Sequence, residues 1–377
     1  MIYLDNAATS FPKPEEVVDA VWDYMVSVGA NPGRSGHYLA VNAARIVFKT
    51  REGLASLFGI SDSRRIVFTS NATEALNTVI YGHLQEGDHV ITTSLEHNAV
   101  SRPLRFLEER KGLGVTVLDS DSQGRMDPGA FKRAITGRTR LVIVNHASNV
   151  LGTLLPLKEV RDAIGEIPLL VDSAQTAGTV EIDVEADGID FLAFTGHKSL
   201  LGPQGTGGLF IRPGLDMEPL MRGGTGSSSN CDIQPEVLPD RYESGTMNGA
   251  GIAGLGAGVE YILEIGSHQI REDEMALFSR LWEGLKSIPK VTLYGLENPE
   301  ERVATVSFNI SGMASSEVGS ILGRHYEILV RTGLHCAPWA HRVMGTIKGG
   351  TVRIGIGALN TSDDIDAAIE AVRGIAQ

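Results

Sequence analysis

Residues 191–208 read FLAFTGHKSLLGPQGTGG, an apolar strand-like run that gives way to a Gly-rich loop carrying one lysine, Lys198. A lysine so placed lies just past the carboxyl end of a strand, where open α/β sheets bind ligands. Just upstream, residues 167–175 (IPLLVDSAQ) repeat the arrangement, a short buried run closed by Asp172. Further out, short runs rich in β-branched residues recur at 65–69, 89–93, 115–118 and 140–144, and segments of helical apolar spacing separate them at 73–83, 100–110 and 157–165. The alternation predicts βα units around a mostly parallel sheet covered on both faces.

From about Asn248 the texture changes to a Gly- and Ala-rich helix, an amphipathic segment at 270–287, and strands near 305–309 and Thr351–Gly355. Residues Ser362–Ile375 read as a closing helix, with Ser362 as N-cap and Asp363 and Asp364 in the first turn. This is the pattern of a second, smaller α+β domain. The stretch at 222–230 (RGGTGSSSN) reads as a mobile surface loop.

At 377 residues, 42% hydrophobic and 21% charged, the chain is an ordinary globular protein large enough for two domains with a cleft between them. A net charge of −13 without basic clusters excludes nucleic acid and anionic membrane as partners and favours a small-molecule substrate. The N-terminus lacks a basic region followed by an apolar stretch, and no apolar run approaches membrane-spanning length, so a cytoplasmic protein is expected. Two distant cysteines, Cys231 and Cys336, are expected to be free thiols in a reducing compartment.

Pyridoxal 5′-phosphate asks four things of a protein: a lysine for the imine, an acid at the ring nitrogen, a flat group against the ring and donors for the phosphate. Lys198 is the candidate for the first, although such a lysine standing alone is a solvated loop residue. Asp172, at the end of a buried strand, needs a cationic partner such as a pyridinium, or else it caps the following helix. Gln175 could donate to the phenolic oxygen. His97, in SLEHNA, offers a flat ring and a proton shuttle with a pKa near neutrality; an isolated histidine is otherwise structural. In SNATEALN, the Thr73 hydroxyl and the backbone N–H groups of Asn71, Ala72 and Thr73 can face an anion at a helix N-terminus, or the turn is a plain cap with Asn71 as N-cap and Glu74 three residues on. Cys336, in RTGLHCAPWAH, is flanked by His335 and follows Arg331, and positive charge there favours a thiolate nucleophile over an inert thiol.

The ordered motifs YLDNAAT, SNATEALN, LEHNA, SNVLGT, VDSAQ, TGHKSLLGPQGTG, YESGTMN and RTGLHCA together resemble the fold-type I, class V aminotransferase family over nearly the whole chain. They look like its cysteine desulfurase and selenocysteine lyase branch, in the group II, SufS-like form. The segment after Cys336, PWAHRVMGTIKGG, departs from the usual pattern. The resemblance implies the PLP-dependent transferase fold type I. That fold has a large domain at 14–255 with a mostly parallel seven-stranded sheet, and a small α+β domain formed by 1–13 and 256–377.

It further implies that Lys198 carries the cofactor, that Asp172 and Gln175 bind the ring nitrogen and phenolic oxygen, and that His97 stacks on the ring. Thr73, Thr195 and His197 would hold the phosphate, with Thr246 reaching it from the second subunit of a homodimer. Arg353 and Asn149 match residues that grip the substrate carboxylate, Arg331 and His37 match other contacts of the substrate pocket, and Cys336 falls on the nucleophile. The expected reaction takes L-cysteine to L-alanine, leaving a persulfide on Cys336 for a sulfur-acceptor protein. The rivals are a selenocysteine lyase, a class V aminotransferase or lyase in which Cys336 is incidental, and a non-catalytic cofactor-binding scaffold.

Overall fold

The computed structural model describes residues 1–33, 35–227 and 230–377. After β1 (Ile2–Tyr3), seven strands form one sheet: β2 (Ile66–Thr69), β3 (His89–Thr93), β4 (Gly114–Leu118), β5 (Thr139–Asn145), β6 (Leu169–Asp172), β7 (Phe191–Thr195) and β8 (Gly207–Ile211). Their order is β2-β8-β7-β6-β5-β3-β4. All pairings are parallel except those of β8, which runs antiparallel to both β7 and β2. The strands are largely apolar because both faces are covered. On β7, Leu192 and Phe194 join the core on one side of the sheet, while Phe191 and Ala193 join the core on the other.

A four-stranded antiparallel sheet follows, made of β9 (Val291–Tyr294), β10 (Thr305–Ile310), β12 (Arg331–Gly333) and β13 (Thr351–Gly355) in the order β12-β13-β10-β9. Its own core gathers Phe278, Leu281, Leu322 and Ile365 from the helices Ser267–Lys286, Ser315–His325 and Ser362–Ile375. The N-terminus returns to this sheet. β1 pairs in parallel with β11 (Ile328–Leu329), Asp5 bridges to Gly355, and Asn6 N donates to Gly355 O. Gly355 allows that approach, since a Cβ there would lie 2.6 Å from Ala7 N.

Three features depart from the sequence reading. The closing helix is capped by Thr361 rather than Ser362: its hydroxyl accepts from Asp364 N while the Asp364 carboxylate accepts from Thr361 N, a reciprocal box. Strand β8 escapes notice because it opens with glycines, which contact neighbours leaves no room to replace. A Cβ at Gly207 would meet Asn71 Cα at 2.7 Å, and one at Gly208 the Phe194 ring at 2.3 Å. The helices Glu15–Asp23 and Tyr38–Leu57 were not foreseen either; both pack on the Gly-rich helix Gly249–Ile265. Residues 222–227 of the expected surface loop are irregular and largely exposed, and Ser228 and Ser229 lie outside the described residues. Among the described residues no helix is long and apolar enough to cross a membrane.

Candidate active site

The parallel strands deliver their carboxyl ends to one edge of the large sheet, where Asn145 and Asp172 stand opposite each other in register on β5 and β6. The turns that follow line a cavity of about 210 Å³, closed on its other side by Arg331 and Arg353 of the small sheet. Ala72, Thr73, His97, Asn149, Asp172, Gln175, Thr195, His197 and Lys198 all line it, whereas Cys336 does not.

Lys198 and Asp172 share the cavity without forming an ion pair, so room remains between them. Burial lowers the Lys198 amine to about 8, opposed by Asp172 and assisted by Arg353 and Arg331. Burial also raises Asp172, against a hydrogen bond from Ala174 N to its Oδ1 at 3.0 Å and the charge of Lys198. Each group is short of compensation that a bound polar molecule between them would provide.

The Ala72–His83 helix starts at the cavity with Asn71 as N-cap, its Oδ1 accepting from Glu74 N at 3.0 Å. The backbone N–H groups of Ala72 and Thr73 therefore open toward the cavity. His197 adds a buried Nδ1 with no partner, and Thr195 a buried hydroxyl 3.5 Å from Thr206 O. Hydroxyl, helix N–H and imidazole together make a set of donors suited to an anion.

His97 is the N-cap of the Asn98–Lys111 helix, its Nδ1 accepting from Ala99 N at 3.0 Å. That bond fixes the proton of the neutral ring on Nε2. Burial first, then the charges of Lys198, Arg331, Arg102 and Arg353, push its pKa to about 4. The expectation of a near-neutral pKa is thereby corrected: at neutral pH His97 offers an Nε2–H, not an imidazolium.

Cys336 is exposed at the end of the loop that follows β12, with Arg331 Nη2 3.5 Å from its Sγ. His335 and Cys336 both have left-handed backbones, φ 48° and 58°, a conformation unfavourable for side-chain-bearing residues that the surroundings must hold. Two hydrogen bonds do so: Asn98 N donates to Cys336 O at 2.8 Å, and Asn149 Nδ2 to His335 O at 2.7 Å. The first ties the thiol loop to the helix that His97 caps. His335 supplies no positive charge, in contrast to the sequence reading. Its buried ring is driven to about 2, with Nε2 3.0 Å from Thr351 Oγ1. The charge beside the sulfur is Arg331's.

Arg353 is fully buried; Nη1 donates to Asn149 O at 3.0 Å, Nη2 pairs with Asp5 at 2.8 Å, and Nε has no partner. Thr246 and His37 do not line the cavity of their own chain. Thr246 is exposed, and His37 caps the Tyr38–Leu57 helix by accepting from Ala40 N. One cavity residue, Asn145, and a buried carboxyl hydrogen-bonded to it, Glu96, escaped the sequence reading. Asn145 ends β5 as Asp172 ends β6, so the same polar-after-apolar signal was present. Glu96 is a buried carboxyl that accepts from Thr93 Oγ1 and Asn145 N, and burial raises it to about 8. Its position in a motif read for its histidine hid it.

A seven-stranded α/β sheet covered on both faces, with a lysine and a carboxylate at its carboxyl edge and arginines from a second sheet above them, defines the class. The model of the aminotransferase class-V family matches residues 2–368, and the chain belongs to that family. Among its relatives, a probable cysteine desulfurase of Methanothermobacter thermautotrophicus is 39% identical, with 100% of this chain and 94% of that protein covered. A cysteine desulfurase of Haloferax volcanii is 33% identical, covering 99% and 88%. Of solved structures, the apo cysteine desulfurase from Thermococcus onnurineus superposes with a TM-score of 0.93 at 34% identity, covering 100% of this chain and 94% of that one. The cysteine desulfurase CsdA from Escherichia coli gives 0.87 at 30%, covering 98% and 93%.

Proposed function

We propose that this protein is a pyridoxal-phosphate-dependent cysteine desulfurase that converts L-cysteine to L-alanine and leaves the sulfur as a persulfide on Cys336. The observation that carries the reading is the convergence of Lys198, Asp172 and Arg353 on one cavity, with the exposed Cys336 next in sequence to the cavity-lining His335 and in contact with the cavity-lining Arg331. The site fits the cofactor: a buried amine and a buried carboxyl stand apart with room between them, and unsatisfied donors lie at one end. Lys198 would carry it, Asp172 and Gln175 would bind its ring nitrogen and phenolic oxygen, and His97 would lie against its ring. Ala72, Thr73, Thr195 and His197 would take its phosphate. Bound there, the cofactor supplies an electron sink for charge developing at the Cα of an amino acid.

The rest is the work of the protein. Arg353 and Asn149 orient the substrate carboxylate, and the Lys198 amine takes the Cα proton. The Cys336 thiolate attacks the substrate sulfur; an S–S bond forms as the substrate Cβ–S bond breaks, and protonation of the remaining carbon skeleton yields alanine. Arg331 Nη2 holds the sulfur, and the His97 Nε2–H is the candidate for proton delivery. We further propose a homodimer in which Thr246 reaches the partner's phosphate site. The exposed side chains Val18, Trp22, Met25 and Val26, on and just after the first helix, support a face that a second copy covers. The same reading divides the chain into a large domain at 14–255 and a small one built from 1–13 and 256–377, and places a sulfur-acceptor protein at the exposed thiol.

The test compares wild type with Cys336→Ala, assaying visible absorbance, alanine and reductant-released sulfide from L-cysteine. Both proteins should be yellow, with products only from wild type. Alanine and sulfide from the variant would overturn the persulfide route.

A further inference from the structure

Arg331 and Arg353 are directly opposed in register on β12 and β13, and both reach the cavity. Arg331 is engaged by Cys336 Sγ; Arg353 is held by Asp5 through Nη2 and by Asn149 O through Nη1. Asp5 itself does not line the cavity. It sits behind the arginine, fixed by its bridge to Gly355 and by the Tyr3 hydroxyl, which donates to its carbonyl at 3.3 Å.

We propose that Asp5 is a positioning residue that sets the charge of the substrate pocket, so that the site accepts an amino acid with one carboxylate and rejects one with two. A fully buried guanidinium, Arg353, beside the half-buried Arg331 makes a pocket that favours a dianion, because Arg353 lacks water to screen its charge. Asp5 neutralises one of them from behind and leaves a single positive charge to match a single carboxylate. It also fixes the guanidinium plane, leaving Nε as the one guanidinium nitrogen of Arg353 without a partner. The pocket thus discriminates by charge as well as by shape, through a residue the substrate never touches.

This rests on Arg353 as the carboxylate anchor, which the test checks separately. Calorimetric titration of the holoenzyme with L-alanine and with L-aspartate gives the ratio of the two affinities for wild type, Asp5→Asn, Asp5→Glu and Arg353→Gln. Asp5→Asn should shift the ratio toward L-aspartate by roughly tenfold or more, and raise KM for L-cysteine more than it lowers kcat. Asp5→Glu, which retains the charge, should keep the wild-type ratio. An unchanged ratio in Asp5→Asn, or an equal shift in Asp5→Glu, would overturn the proposal; should Asp5→Asn fail to fold, Asp5→Ser is read by the same ratio. Undiminished affinity for both ligands in Arg353→Gln would remove its foundation. Loss of L-cysteine turnover in wild type would instead strike the desulfurase reading and leave the affinity ratio readable.

Discussion

His97 shows how one backbone contact decides the chemistry of a side chain. Because Nδ1 accepts from Ala99 N, the imidazole both caps a helix and presents Nε2–H. The two roles are separable. His97→Asn preserves a cap acceptor, so thermal stability should stay within about 0.5 kcal/mol of wild type, whereas His97→Ala should lose a further ~1 kcal/mol. Turnover should fall by about a hundredfold in both, as expected when a positioned proton donor is removed. Thermal melts and steady-state assays on the same preparations separate the effects. If activity survives in His97→Asn, the ring has no role in proton delivery.

At the scale of elements, the apolar β-branched runs announced β3, β6 and β13 to the residue, because a strand buried on both faces leaves little choice of side chain. The helix caps were legible where the cap is local, as at Asn71, and shifted by one at Thr361, where the choice between adjacent hydroxyls depends on backbone angles. β8 was illegible because its glycines answer to Asn71 and Phe194, residues distant in sequence. Arg302 is a second such case. Fully buried, its guanidinium donates to the carbonyls of Leu151, Leu296 and Thr305 and lies over the rings of Phe278 and Trp282. It ties the turn carrying Asn149 to the second sheet. Arg302→Met should cost about 3 kcal/mol in denaturant unfolding, since buried carbonyls lose a charged donor. It should also raise KM for L-cysteine through the displaced Asn149.

Across the whole molecule, the two cores meet at the cavity, and charges are trapped where they join. Glu274, on the Ser267–Lys286 helix, faces a small second cavity shared with Lys198 and Thr305, and burial raises it to about 8, with Arg271 opposing. Arg271 directs its hydrogen bonds to Pro299 O and Glu300 O instead. A carboxyl with a folded pKa above its unfolded one binds more protons when folded, so its contribution to stability declines as pH rises from about 4.5 through 8. Glu274→Gln removes that decline. It should raise Tm by about 2 °C or more at pH 9 and change it little at pH 5; an equal effect at both pH values would show that Glu274 does not titrate in this range.

The sequence by itself determined the alternating βα order, the lysine and aspartate at strand ends, and the helix-capping turn at Asn71, because each follows from neighbours a few residues apart. Family motifs marked Arg353, Asn149 and Cys336 without saying what holds them. Only the tertiary structure decided that Asp5 lies behind Arg353, that His335 is neutral, that His97 keeps its proton on Nε2, and that Arg331 is the charge beside the thiol. Burial and charge pairing set those states, and both come from residues that only the packed chain brings together.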